Sequence, residues 1–161
     1  NIRELIQDQY GNYVIQHVVE HGTDSERARV MDIVLEEAVA LSQHKFASNV
    51  VERCLQHGDI SQRRKLIEIL IEGDGPHNPS PLNNLVRDQF GNYVVQRVLD
   101  VAEPNQRERV VNILRVQINA IKKYSYGKHI IARLEPGWNG VGVSSPRMMN
   151  PYGSGSERGY S

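Results

Sequence analysis

Apolar residues recur at helical spacing in three long stretches of the chain, "SERARVMDIVLEE", "SQRRKLIEILIE" and "NQRERVVNILRV". Val30, Ile33 and Val34 fall on one face of the first, and Leu66, Ile67 and Leu70 on one face of the second. Each stretch predicts an amphipathic helix with a charged outer face. The entry signals agree, since Thr23 with Glu26 and Asp59 with Gln62 have the spacing of a capping box, and Pro104 suits a first helical turn. Gly22 and Gly58 are candidate C-caps of the helices that come before. No alternating strand pattern intervenes, so the fold class is all-α.

Between these helices lies a second recurring block. "YGNYVIQHVVEHG", "FASNVVERCLQHG", "FGNYVVQRVLDVA" and "YGKHIIARLEPG" start at residues 10, 46, 90 and 126. A shorter apolar piece precedes each block: "IRELIQ", "AVALSQ", "LNNLVR" and "INAIKK". The outer two spacings are equal, and the Gly- and Pro-rich stretch "EGDGPHNPSP" at 72–81 accounts for the longer middle one. About three helices in each unit of 36 residues predict an α-solenoid, in which neighbouring units bury one another's apolar faces. The expected units are 1–36, 37–81 and 82–115, with a terminal half unit at 116–135. Residues 136–161, rich in Gly, Ser and Pro, are expected to form a disordered tail. The abrupt start of the first unit suggests the C-terminal part of a longer array.

Composition narrows the function. The 161 residues carry 19 basic and 19 acidic side chains, so a protein that grips nucleic acid mainly by neutralising phosphates is not expected. The lone cysteine, Cys54, allows no intrachain disulfide and no cysteine-built zinc site, which fits a reducing compartment and a cytoplasmic location. No membrane span or signal peptide is legible. His17, His21, His44 and His57 show no metal-ligand or nucleophile spacing, and no phosphate-binding glycine loop occurs, so neither an enzyme nor a cofactor is expected.

The candidate chemistry sits in the recurring block. Asn12 with Gln16, Ser48 with Glu52, and Asn92 with Gln96 are four residues apart, hence on one helix face, with Tyr13, Asn49 and Tyr93 between them. A single such pair is usually solvated surface, and a lone tyrosine usually packs. Recurrence at one register favours a ligand with regularly spaced planar faces and hydrogen-bonding edges, which is single-stranded nucleic acid. An amide suits the acceptor, donor, acceptor edge of uracil, and a carboxylate suits the paired donors of guanine. The three units therefore spell amide, carboxylate, amide, or U, G, U. A buried amide ladder would repeat identical residues, and the change to Ser48, Asn49 and Glu52 does not. In the fourth block Ala132 cannot read an edge, while Tyr126 or His129 could close a stack of bases or simply pack. Lys45, Arg53, Arg87 and Arg97 are candidates for phosphate contacts, with a solvated helix face as the alternative.

The motifs "NYVIQ", "SNVVE", "NYVVQ" and "YSYGKHIIARLE" resemble the Pumilio (Puf) family over residues 1 to about 135. The resemblance implies the last three repeats of the eight-repeat Pumilio homology domain and its C-terminal half repeat, forming the C-terminal part of a crescent. It further implies sequence-specific binding of single-stranded RNA in messenger 3′ untranslated regions, with repeats antiparallel to the strand and reading a 5′ UGU. Edge reading would then fall on Asn12, Gln16, Ser48, Glu52, Asn92 and Gln96, and stacking on Tyr13, Asn49 and Tyr93. Regulatory proteins would meet the convex face and the loop at 72–81. The competing reading is a protein-interaction scaffold of the HEAT or armadillo kind, which shares the helices but has no reason to repeat the polar trio.

Overall fold

The computed structural model describes residues 1–135. The expected tail at 136–161 lies outside the described residues. Each of the first three units holds a short helix followed by two long ones. These are α1 (Ile2–Ile6), α2 (Gly11–His21) and α3 (Asp24–Glu36), then α4 (Ala38–Ser42), α5 (Ala47–His57) and α6 (Ile60–Glu72), then α7 (Leu82–Leu85), α8 (Gly91–Val101) and α9 (Pro104–Arg115). A final pair, α10 (Ile118–Ile121) and α11 (Gly127–Arg133), completes the described chain. No strand occurs among the described residues.

The helices pack in two rows. In one row, α2 lies on α5, α5 on α8, and α8 on α11; in the other, α3 lies on α6 and α6 on α9. The predicted apolar stripes meet between the rows, where Val30, Val34, Leu66, Ile67 and Leu70 join Val50, Val51, Leu55, Val94 and Val95 in one buried cluster. Because each unit touches mainly its neighbours, stability is shared between adjacent repeats, as in any solenoid. Cys54 is buried in this cluster, and burial pushes its thiol up to about 12, which leaves it unreactive. No described helix is long and apolar enough to cross a membrane.

The helix ends follow the predicted signals with two differences. Asp59 and Gln62 form the full reciprocal box, at 2.7 and 3.0 Å. Thr23 accepts from the Glu26 backbone N–H at 3.1 Å, but the Glu26 carboxylate takes the Thr23 hydroxyl instead of the backbone, so only half the box forms. Gly22 and Gly58 do close α2 and α5, yet in extended rather than left-handed backbone. Gly58 is needed for close approach, since a Cβ there would sit 2.7 Å from the Cys54 carbonyl oxygen and 2.8 Å from Met31 Cε. Positive φ occurs instead at Gly73, 56°, and Gly75, 127°, which turn the chain from α6 into the loop before α7. Replacing Asp59 by Ala removes the complete box and should lower the unfolding free energy by about 1 kcal/mol, measured as a shifted midpoint in urea.

Candidate nucleic-acid interface

The motif helices α2, α5 and α8 are set in place by a device that sequence reading missed. Asp8 Oδ2 accepts from the backbone N–H of Tyr10 at 2.9 Å and of Gly11 at 2.7 Å, and Asp88 Oδ2 does the same for Phe90 and Gly91 at 2.9 and 2.7 Å. His44 Nδ1 takes the equivalent N–H groups of Phe46 and Ala47, both at 3.1 Å. The Gly11 and Tyr10 N–H groups hold the Asp8 carboxyl below the usual carboxylate range. The missed signal was positional: Asp8, His44 and Asp88 each stand four residues before Asn12, Ser48 and Asn92. These caps fix the start of each motif helix, and so the register of the trio that follows.

The two edge candidates of each motif helix share a face. Gln16 Nε2 donates to Asn12 Oδ1 at 2.9 Å, and Gln96 Nε2 to Asn92 Oδ1 at 3.1 Å. Both asparagine side chains are anchored in turn, Asn12 donating to the carbonyls of Asp8 and Gln9 and Asn92 to those of Asp88 and Gln89. Ser48 and Glu52 occupy the same register on α5. All six edge candidates are buried, between 0 and 2% exposed, rather than standing out as free tips. The cause is the tight contact of each motif helix with the next, which closes the seam over the polar column.

The intervening planar residues form a second column. Asn49 Nδ2 reaches back across the seam to Asn12 Oδ1 at 3.3 Å, tying one unit's planar group to the previous unit's edge group. Asn49 and Tyr93 are buried, and Tyr13 is half-buried at the N-terminal end of the row. In the terminal half unit the two stacking candidates separate. Tyr126 is buried, donates its hydroxyl to the Arg87 carbonyl at 3.0 Å, and stacks on Tyr124 with ring centres 5.2 Å apart. Burial pushes that hydroxyl up to about 12. His129 is exposed and remains at the surface.

The basic candidates separate in the same way. Lys45 is exposed, its ammonium 5.5 Å from the Phe46 ring centre, and Arg87 is exposed and donates to Gln117. Arg53 and Arg97 point inward: Arg53 pairs with Glu20 at 3.0 Å, and Arg97 lies 3.6 Å from Asp100 and 3.9 Å from Glu52. Desolvation lowers the Arg97 guanidinium from its ordinary value. Their placement between motif helices does not suit the expected phosphate contacts, because each guanidinium is already committed to carboxylates. The column arginines and their acidic partners, including Arg133 with Asp100 at 3.0 Å, were not foreseen as a set.

Three segments, 1–35, 37–71 and 83–115, match the Pumilio-family RNA binding repeat. The chain belongs to the Pumilio family. Over 150 residues it is 49% identical to Pumilio homolog 4 of Arabidopsis thaliana, covering 91% of this chain and 15% of that protein. Over 131 residues it is 53% identical to Pumilio homolog 1 of the same plant, covering 81% of this chain and 13% of that protein. The chain thus spans under a sixth of the length of these Pumilio relatives. Its helical array also superposes on the Puf3 RNA binding domain, solved bound to a Cox17 RNA 3′ UTR recognition sequence, with a TM-score of 0.72 and 32% identity. That match covers 83% of this chain and 42% of the other. The repeat architecture is therefore the Puf solenoid and not a HEAT or armadillo array.

Proposed function

We propose that this segment binds single-stranded RNA sequence-specifically and reads a UGU core, one base per repeat. In this reading Asn92 and Gln96 take one uracil, Ser48 and Glu52 the guanine, and Asn12 and Gln16 the other uracil. Tyr13, Asn49 and Tyr93 supply planar surfaces between bases, with His129 as the exposed candidate, and Tyr126 behind it, at the end of the stack. Of the four basic candidates, Lys45 and Arg87 are the exposed ones, available to phosphates. The cellular role would be post-transcriptional regulation of messengers through 3′ UTR elements in the cytoplasm, without catalysis, and with regulatory proteins docking on the face opposite the motif helices and at the loop 72–81.

The observation that carries this reading is the contact of Gln16 with Asn12, repeated by Gln96 with Asn92, on either side of a unit that puts Ser48 and Glu52 at the same register. These groups are chemically matched to base edges, and a scaffold would gain nothing from changing one rung. Their burial adds a step. A base must replace the internal amide hydrogen bonds, so each contact contributes a net gain of only about 0.5–1.5 kcal/mol or somewhat more where the carboxylate takes part. Affinity should accordingly be modest for three reading units, while discrimination between bases stays large.

Titrating the chain with short strands that differ only as UGU and UCU tests the proposal. The UGU strand should bind about tenfold tighter or better. Equal affinities would leave a protein-interaction scaffold as the better account.

A further inference from the structure

Each motif helix after the first carries an arginine directly behind its fifth-position residue: Arg53 behind Glu52, Arg97 behind Gln96 and Arg133 behind Ala132. Each of these arginines faces the motif helix of the unit before it. Arg53 donates through Nε to Gln16 Oε1 at 3.2 Å and pairs with Glu20 at 3.0 Å. Arg97 lies 3.9 Å from the Glu52 carboxylate, with Asp100 of its own helix at 3.6 Å. Arg133 pairs with Asp100 at 3.0 Å.

The carboxylate that each arginine meets on the preceding helix changes place with the reader. In α2 and α8 the fifth-position residue is an amide, Gln16 or Gln96, and the acid stands one turn further on, at Glu20 or Asp100. In α5 the fifth-position residue is itself the acid, Glu52, and the residue one turn on is the amide Gln56. One carboxylate per arginine is kept, although its position swaps. The balance matters because a second carboxylate beside one of these largely buried guanidinium groups would add a poorly solvated negative charge with no further cation to offset it. Arg53 also acts on geometry: a guanidinium only donates, so it can hold only the oxygen end of the Gln16 amide and thereby turns Nε2 toward Asn12.

We propose that Arg53 and Arg97 are positioning residues for the fifth-position residue of the preceding repeat, and that Glu20, Gln56 and Asp100 are the compensating half of the code. This rests on the base reading proposed above. It implies that a repeat cannot be recoded at its reading trio alone. Changing an amide reader to a carboxylate requires the acid one turn on to become an amide.

The test recodes the first unit in the full chain with Asn12→Ser, Tyr13→Asn and Gln16→Glu, with and without Glu20→Gln, and measures binding to strands carrying guanine or uracil at that base. Adding Glu20→Gln should raise the guanine preference about tenfold. Equal preferences with and without it would overturn the proposal. In parallel, Arg53→Met should reduce discrimination at that one base about tenfold, with partial rescue by Arg53→Lys. A uniform loss across all strands, with a shallower salt dependence, would instead mark a phosphate contact and overturn the positioning role. Should the Met variant not fold, the Glu20 comparison decides alone. Wild type that binds UGU and UCU equally would remove base reading itself, whereas a wild-type preference insensitive to Glu20 would remove only the coupling.

Discussion

Glu52→Gln should erase the preference of the chain for guanine at the central base, a change of about 1 to 3 kcal/mol in relative binding to UGU against UUU and UAU strands. Glu52 is fully buried on α5 between two units whose equivalent residues are amides. An ionised carboxylate offers acceptors only and meets the adjacent N1–H and N2–H₂ donors of guanine, whereas an amide turns a donor toward one of them. The substitution is close to isosteric, and Arg97 keeps Asp100 at 3.6 Å, so the fold should survive with its melting temperature little changed. That separation is what makes the experiment decisive: a loss of discrimination without a loss of stability is a statement about the base edge. A variant that still prefers guanine as strongly as wild type would sink the assignment of Glu52 as reader. Adding Gln56→Glu to this variant then extends the charge-balance argument, since the acid would stand where Glu20 and Asp100 stand in the uracil units.

The repeat architecture was legible because periodicity and recurrence are properties of one chain. The stripe at Leu66, Ile67 and Leu70 and the box at Asp59 and Gln62 follow from local spacing, and local hydrogen bonds and helix faces enforce them. The face shared by Asn12 and Gln16 was legible for the same reason. Its burial was not, because it depends on how closely α5 lies against α2, and no local pattern encodes the gap between helices. The arginines fall in the same class. Arg53 and Arg97 look like solvated charge along their own helices, and Gln16, Glu20 and Glu52, which they meet, belong to the unit before; only Asp100, three residues after Arg97, is local. Tyr126 and His129 could not be ranked from sequence, since only the carbonyl of Arg87, far off in the chain, draws the Tyr126 hydroxyl inward. The column of Asp8, His44 and Asp88 was in plain view at a fixed offset, but a histidine in place of an acid hid the pattern until both were seen accepting the same two N–H groups.

Leu70→Ala should lower the unfolding free energy by about 2 to 5 kcal/mol, the cost of removing a large aliphatic side chain from a packed interior. Leu70 is fully buried, near the C-terminal end of the stripe formed with Leu66, Ile67 and Ile71, on the helix that meets α3, α4, α5 and α9. Because α6 is the middle member of its row, the cavity weakens its interfaces with both α3 and α9, leaving the row of motif helices to carry more of the coupling between units. The same measurement on Ile60→Ala supplies the contrast. Ile60 opens the same helix but is 59% exposed, so its truncation should stay within about 0.5 kcal/mol. Urea titration of both variants at equal protein concentration checks the pair, and the slope reports whether the units still unfold together. A Leu70 variant that loses less than about 1 kcal/mol would mean that α6 relaxes into the space, and that the second row is softer than the complete burial of Leu70 implies.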